Sequence, residues 1–452
     1  STDDERTESI EQAEKVATEA LDAFKSVSNT KGEASVTNTL AKVLFAKGNF
    51  DDAVEHADKA LRLFAEAEER NGQAAALITK SIIHLFWGAG KWDQAAKFAK
   101  EAVALCKKVT KPSAQHREAD AWLMICAATI PMSKTSDALE AAKAALSLME
   151  TLGGDHKLTL ALRALAFTQA VAGNIDEAMA KFGQAIALSQ NLADKHLKAT
   201  LLVTGAIVHR AKIAGAKAQG TAVSQDEQYQ GTQLAKDGIA LFTELGDEAL
   251  AALTRLELAQ GLLVTGNINE SLGEASAAKD FFESMQDKAG EAIGFLILGE
   301  GLLAQGQAET AHGAAKRAQE LFNSVGGAGE GTKAANELLD QVEALLRQQR
   351  EKGQWGAIDP GTFMGDAQGF GGISRAVYTK LFAQTLHLPD RPYEIMLDAP
   401  MFQSLDAINA SLARQQTQPK KAPASRTRGE GGGAGRDAPQ RAEGQALRQV
   451  PP

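Results

Sequence analysis

The stretch Gly48-Asn49-Phe50-Asp51-Asp52-Ala53 returns several times along the chain with the same order of residue types. Each clear copy has a glycine, an apolar side chain two positions later and a small residue five positions later. These copies are Gly90-Lys91-Trp92-Asp93-Gln94-Ala95, Gly173-Asn174-Ile175-Asp176-Glu177-Ala178 and Gly266-Asn267-Ile268-Asn269-Glu270-Ser271, and degenerate copies occupy 133–138 and 306–311. Such self-similarity at a regular spacing is the signature of a repeat architecture.

The residues that follow each copy keep the same register. A large apolar residue lies fifteen positions after each start, at Leu63, Leu105, Leu148, Leu188, Phe281 and Leu321, and Leu241 fills the gap in this series. The successive intervals are 42, 43, 40, 53, 40 and 40 residues. The interval of 53 holds about thirteen extra residues, and we expect them to form a loop at 215–230.

Each repeat is interpreted as a pair of helices. The glycine allows the first helix to end in a left-handed conformation, and an Asp or Asn two or three positions later is expected to cap the second helix. A small residue recurs twelve positions after each start, where it allows two helices to approach closely. These residues are Ala60, Ala102, Ala145, Ala185, Gly238, Ala278 and Ala318.

The pattern resembles the tetratricopeptide repeat family. The small residue of that family's first helix corresponds to Ala41, Cys126, Ala166, Gly205, Ala259 and Gly299, whereas the second repeat has the large Ile83 at this place. A spacing near 40 residues is similar to the long-helix variety of kinesin light chains and of the Leu-Gly-Asn-repeat adaptors. The resemblance implies an all-α, right-handed superhelical solenoid of about seven helix pairs.

Three regions are expected along the chain. The solenoid should span 8–351, with capping helices at 8–27 and 330–351. Residues 352–412 form an irregular segment whose apolar residues at 363–402 could contact the solenoid or a partner. Residues 413–452 carry eight Lys or Arg and three acidic residues from Arg414 onward, and we expect a disordered basic tail rich in Gly, Pro, Arg and Gln.

Composition excludes several classes of function. A formal net charge of -9 disfavours nucleic-acid binding except weakly through the basic tail. No apolar run suffices to span a membrane and no secretory signal is present, so the expected location is cytoplasmic, or an organelle matrix if a targeting segment was removed. Cys106 and Cys126 are interpreted as buried packing residues.

No catalytic or cofactor chemistry is predicted. The eight histidines show no metal-ligand spacing, and no nucleophile, base and stabiliser occur together. The glycine-rich run at 326–333 superficially resembles a phosphate loop, but its Lys and Thr are in the wrong order and no strand precedes it, so we interpret it as a linker. We therefore expect no enzyme, no cofactor and no metal.

A groove formed by the first helices is the expected binding surface. The resemblance implies that its partner-binding residues include Asn38, Lys42, Phe45, Lys80, His84, Trp87, Arg163, Phe167, Gln260 and Glu300. For each of these, a role in the core between repeats remains an open alternative. Lys80, His84 and Trp87 should share one helix face, since they are four and three residues apart. Leu123, Ala127 and Leu256 interrupt the fixed Lys and Asn set with which some family members hold a terminal carboxylate.

Two functions remain open at the level of sequence. In the first, the chain is a scaffold or adaptor that binds peptide segments of partner proteins, or a subunit of a larger assembly. In the second, the chain is an autoinhibited regulator whose own C-terminal segment occupies the groove. Neither hypothesis names the partner.

Overall fold

The chain is described by a computed structural model over residues 3–87, 89–325 and 330–352. Within these ranges there are sixteen α-helices and one short 3-10 turn at Ala89–Lys91, and no strand. The helices are α1 (Asp3–Ser26), α2 (Thr30–Ala46), α3 (Phe50–Glu66), α4 (Arg70–Trp87), α5 (Trp92–Cys106), α6 (Pro112–Thr129), α7 (Thr135–Leu152), α8 (Asp155–Val171), α9 (Ile175–Ser189), α10 (Lys195–Ala218), α11 (Gln225–Glu244), α12 (Glu248–Thr265), α13 (Ile268–Ser284), α14 (Lys288–Ala304), α15 (Ala308–Ser324) and α16 (Glu330–Lys352).

These helices form seven consecutive pairs, from α2 with α3 to α14 with α15. Helix α1 precedes the first pair and α16 follows the last, as expected for capping helices. The prediction of an all-α solenoid of about seven helix pairs is confirmed. Apart from Lys352, the expected segments 352–412 and 413–452 lie outside the described residues, and so does the linker at 326–329.

The two helices of a pair have different surroundings. Each first helix, α2 to α14 in even numbers, packs against the first helices of the neighbouring pairs and also against second helices. Among the described residues, no comparable contact joins successive second helices. The even-numbered helices therefore form a continuous layer, which we call the first-helix layer.

Small residues permit this close packing. The alanines expected at helix approaches, Ala60, Ala102, Ala145, Ala185, Ala278 and Ala318, are all 0% exposed. At Gly238, a Cβ atom would lie 3.2 Å from Val203 Cγ2. The predicted reason for the recurring small residue is confirmed.

A second packing rule joins consecutive pairs and was not predicted. Four glycines near the start of first helices or of α16 each lie under a phenylalanine from the preceding helix. A Cβ atom would approach the ring to 2.3 Å at Gly32, 2.2 Å at Gly72, 2.4 Å at Gly290 and 2.5 Å at Gly331. A large ring and a bare backbone thus fill the same space in several repeats.

The loop expected at 215–230 is wrong in its extent. Helices α10 and α11 have 24 and 20 residues and extend into that range from both sides. Only 219–224 lies between them. The stretch contains no proline, so nothing in it forbids helix continuation, and the extra residues lengthen the two helices.

The predictions for the turn residues are confirmed for the glycine conformation but not for the helix caps. Gly48 has the expected positive φ of 80°. The second helix α3 begins at Phe50, two residues after this glycine, with Asn49 at the cap position, and the Asn49 side chain makes no capping hydrogen bond. Side-chain caps begin four first helices: Asn29 accepts from Gly32 N, Asp194 from Leu197 N, Asp247 from Leu250 N and Asp287 from Ala289 and Gly290 N. One second helix, α11, also has such a cap, since Ser224 accepts from Glu227 N.

Candidate partner-binding surface

Buried polar side chains are concentrated in the first-helix layer. Among the described residues, 23 polar or charged side chains are buried, and 21 of them lie on the even-numbered helices. The two exceptions are Ser189 and Ser271, both small. Burial of polar groups costs free energy unless each finds a partner. Nine of the 21 are Thr or Ser side chains whose hydroxyl groups donate to backbone carbonyls.

The second helix pair has a different register from the one the sequence analysis assumed. Gly32 and Gly72 occupy equivalent places under phenylalanine rings and are 40 residues apart. The residue equivalent to Ala41 is therefore Ser81, which is 0% exposed. Two extra residues lie in the following turn, where Ala89–Lys91 forms the 3-10 helix. These two residues explain the interval of 42 between second helices.

This register moves two predicted site residues away from the groove. Ile83 is not a departure from the small-residue position, because Ser81 occupies it. Lys80 and His84 face the second helices: Lys80 Nζ lies 2.6 Å from Asp58 Oδ1 and 4.0 Å above the Phe98 ring. The His84 ring lies 5.0 Å from that of Phe98, and burial lowers its pKa below the usual value. Both side chains are partnered inside the structure.

Trp87 lies in an aromatic cluster at the same end of α4. Its ring stacks on Phe50 at 5.9 Å and contacts the His84 ring at 5.7 Å. Phe45 contacts both Phe50 and Phe86, at 5.9 and 5.5 Å. The predicted proximity of Phe45 and Trp87 is therefore found through Phe50, and Trp87 remains partly exposed. This cluster packs the first pair against the second.

Lys42 marks the opposite surface of the first-helix layer. Burial and the charge of Arg117 lower the pKa of Lys42 to about 7, while Asp120 opposes the shift. Arg117 and Asp120 lie on α6, so Lys42 senses a first helix two pairs away from its own. We call this surface, turned away from the second helices, the inner face.

Other predicted residues on the even-numbered helices are almost fully buried. Asn38 is 6% exposed, and its Oδ1 has no hydrogen-bond partner among the described residues. Arg163 is 1% exposed, and burial lowers its pKa to about 9. Phe167 is also 1% exposed and offers a partner no surface, so its position is that of a core residue.

A buried ion pair on the C-terminal half was missed by the sequence analysis. Arg210 on α10 donates from Nε to Glu257 Oε1 at 2.7 Å and from Nη2 to Oε2 at 3.2 Å. The side chains are 3% and 1% exposed. Arg210 and Glu257 are 47 residues apart because of the long α10, so the 40-residue register does not align them.

Glu300 and Gln260 lie beside this pair. Burial raises the pKa of Glu300 to about 8, although Arg210 and the Gln260 amide both oppose the shift. Because Arg210 is on α10 and Glu300 on α14, Glu300 also senses a first helix two pairs away and lies on the inner face. Glu300 forms no ion pair with the described residues, whereas Lys42 holds the corresponding place on α2.

Neither metal ligation nor membrane insertion is indicated by the part of the chain that the structure describes. That part holds no group of three or more His, Cys, Asp or Glu side chains arranged to ligate a metal. It also holds no helix that combines the length and the apolar character needed to cross a membrane. Cys106 and Cys126 are buried, and burial raises their pKa values to about 11 and 12, which keeps both thiols protonated at neutral pH.

Residues 32–108, which form the first two helix pairs, match the family model described as tetratricopeptide repeat. The first two helix pairs therefore contain tetratricopeptide repeats. The apo form of RapI is similar in fold, with 15% sequence identity and a TM-score of 0.49 over 62% of this chain and 94% of that one. A tetratricopeptide repeat protein from Parabacteroides merdae has 14% identity and a TM-score of 0.43, over 69% and 98% of the two chains.

A Rap protein complexed with competence and sporulation factor has 12% identity and a TM-score of 0.42, over 76% of this chain and 99% of that one. No curated protein sequence matches the chain at a significant level. Identities this low concern the fold alone. The expected similarity to kinesin light chains and Leu-Gly-Asn-repeat adaptors stays a prediction.

Proposed function

We propose that this tetratricopeptide-repeat chain is a protein-interaction scaffold that binds a segment of another protein along its inner face. The observation that carries the proposal is the concentration of buried polar side chains on the first helices, 21 of 23 among the described residues. A buried polar group costs free energy unless it finds a partner, so the buried atoms of this layer that have none among the described residues are the ones a bound segment would satisfy.

Unsatisfied atoms support a bound partner. Asn38 Oδ1 and Gln260 Nε2 are buried and reach no hydrogen-bond partner among the described residues. Both belong to first helices. A peptide backbone presents donors and acceptors at every residue, so an extended segment would satisfy both atoms.

The proposal assigns the ten predicted site residues unequally. Asn38, Lys42, Gln260 and Glu300 remain the proposed contacts of a partner, whereas Arg163 and Phe167, each 1% exposed, are assigned to the core. Phe45 and Trp87 form the edge of the surface through their aromatic cluster. Lys80 and His84 support α4 from the side of the second helices. No catalytic role is proposed for any of them.

Selection from a random decapeptide library displayed on phage tests this function with the full chain as bait. We expect enriched peptides whose affinity falls about tenfold for Lys42→Gln or Gln260→Leu, because each change removes a charge or a hydrogen bond from the inner face. Lys100→Gln is the matched control, since Lys100 is exposed on the second helix α5. Its affinity should equal that of wild type.

Failure would take one of two forms. If no peptide is enriched over an unrelated helical bait, binding of extended segments is wrong. If enriched peptides lose affinity with Lys100→Gln but not with Lys42→Gln, the binding surface lies on the second helices. The alternative in which the chain's own residues 363–402 occupy the groove falls outside the described residues.

A further inference from the structure

Among the described residues, the inner face near α12 and α14 places two carboxyl groups, those of Glu257 and Glu300, beside one cation, Arg210. Arg210 is engaged by Glu257 through two hydrogen bonds, at 2.7 and 3.2 Å. Glu300 is a second carboxyl group at this place, and it has no ion pair with the described residues. One cation therefore stands beside two carboxyl groups.

A buried hydrogen-bond donor lies at the same place. Gln260 is 5% exposed, and its amide is close enough to Glu300 to favour the ionised form of that carboxyl group. Its Nε2 nevertheless reaches no acceptor within hydrogen-bond geometry. A buried amide donor left in this way costs free energy, which an acceptor on a bound ligand would recover.

We propose that Glu300 and Gln260 form a subsite for a basic residue of the bound segment, with Glu300 accepting from the Lys or Arg side chain and Gln260 Nε2 donating to a backbone carbonyl. The proposal rests on the function proposed above, because it names the chemistry of the segment at one point of the inner face. The ion pair of Arg210 with Glu257 borders the subsite.

The charge of the whole chain favours the same ligand. A formal net charge of -9 attracts cationic segments at long range and repels acidic ones. Burial holds a proton on Glu300 near neutral pH, since its pKa is about 8. A bound cation would displace this proton, so binding should release protons and strengthen as pH rises from 7 to 9 while Lys and Arg side chains stay charged.

The test uses decapeptides from the phage selection, synthesised with acetyl and amide ends. The wild-type chain should enrich peptides with Lys or Arg at one position, and replacing that residue by norleucine should weaken binding about tenfold or more. Glu300→Gln should remove this dependence, so that the basic and norleucine peptides bind the variant alike. Lys42→Gln should keep it, because Lys42 lies on α2.

The outcomes of this experiment distinguish a failure of the subsite from a failure of the proposed function on which it rests. Glu300→Gln preserves size and resembles the protonated carboxyl group, so the variant should fold, and its melting temperature checks this. Enriched peptides without a basic preference, or a preference that survives Glu300→Gln, would overturn the subsite and leave the scaffold intact. If no peptide is enriched at all, the proposed function itself fails.

Discussion

The regions around α4 and around α12 bury their cations in different ways. At α4, Lys80 lies over the Phe98 ring and pairs with Asp58, whose side chain is 37% exposed. Near α12, Arg210 on α10 pairs with Glu257 on α12, whose side chain is 1% exposed. The first arrangement keeps part of the charge in contact with water, and the second removes both charges from it.

The difference shows that regions built from the same type of helix pair can bury polar side chains in two different ways. Ring faces attract a cation weakly but need no compensation when the cation is removed. A buried carboxylate needs its partner, because its desolvation is not repaid by anything else. Regions that look alike in helix geometry should therefore respond very differently to the loss of one cation.

The largest expected effect separates these two arrangements. Arg210→Met should lower the free energy of unfolding by about 3 to 5 kcal/mol, because the buried carboxyl group of Glu257, whose pKa is already raised by burial, must then take up a proton or stay unpaired in the interior. Lys80→Met should cost about 1 kcal/mol or less, since Asp58 can return to water and the methionine still covers Phe98. Urea denaturation followed by circular dichroism measures both.

A double variant checks the cause assigned to this cost. Arg210→Met combined with Glu257→Met should recover most of the lost stability, because no unpaired charge then remains. A double variant as unstable as Arg210→Met alone would mean that packing, not the unpaired carboxylate, explains the loss. Equal costs for Arg210→Met and Lys80→Met would erase the contrast between the two regions.

Trp87 tests the aromatic side of the comparison. Trp87→Ala should cost about 3 kcal/mol of folding stability, at the lower end for a large ring, because Trp87 is partly exposed and stacks on Phe50. Trp87→Phe retains a ring against Phe50 and should cost less than half as much. A melting temperature unchanged by Trp87→Ala, with a loss of peptide affinity, would instead make Trp87 a binding residue.

Much of the fold follows from the sequence because recurring glycines and alanines determine where the chain turns and where helices approach closely. The turn at Gly48 and the buried Ala60 follow from backbone conformation and close approach, which depend on local residue type. The register of α4 could not be derived in the same way. A shift of two residues at Ala89–Lys91 leaves the turn motif intact and moves Lys80 to the other side of its helix.

The candidate surface was harder to predict than the fold. Lys42 and Glu300 were placed by the resemblance alone, and their unusual ionisation depends on neighbours two helix pairs away. The pairing of Arg210 with Glu257 depends on the length of α10. The composition of 215–230 predicts a loop in a range into which α10 extends. Contacts between helices that are distant along the chain produce no local pattern in the sequence.

Glycine substitutions compare the scaffolds of the two halves. Gly72→Ala in the N-terminal half and Gly290→Ala in the C-terminal half should each cost about 1 to 3 kcal/mol, because the new Cβ overlaps a phenylalanine ring. Gly183→Ala is the matched control: this helical glycine has nothing within 4 Å of a built Cβ, and alanine should stabilise the chain by about 0.5 to 1 kcal/mol. Thermal melting of the three variants should rank them in this way, and a neutral Gly72→Ala would show that the Phe64 ring moves easily.

Per unit of pH, the smallest effect expected is a gradual dependence of stability on pH, with opposite sign in the two halves. The pKa of Lys42 is lowered to about 7 in the folded chain from 10.5, so the unfolded chain binds more protons between these values and stability should rise with pH there. The pKa of Glu300 is raised to about 8 from 4.5, so the folded chain binds more protons between these values and stability should fall as pH rises. Each group contributes a slope below about 1.4 kcal/mol per pH unit.

Melting curves of wild type, Lys42→Gln and Glu300→Gln from pH 5 to 10 isolate the two contributions. Removing Lys42 should flatten the rise above pH 7, and removing Glu300 should flatten the fall below pH 8. Since Arg117 and Asp120 face Lys42, and Arg210 and Gln260 face Glu300, a slope that survives both substitutions would have to come from groups elsewhere in the chain.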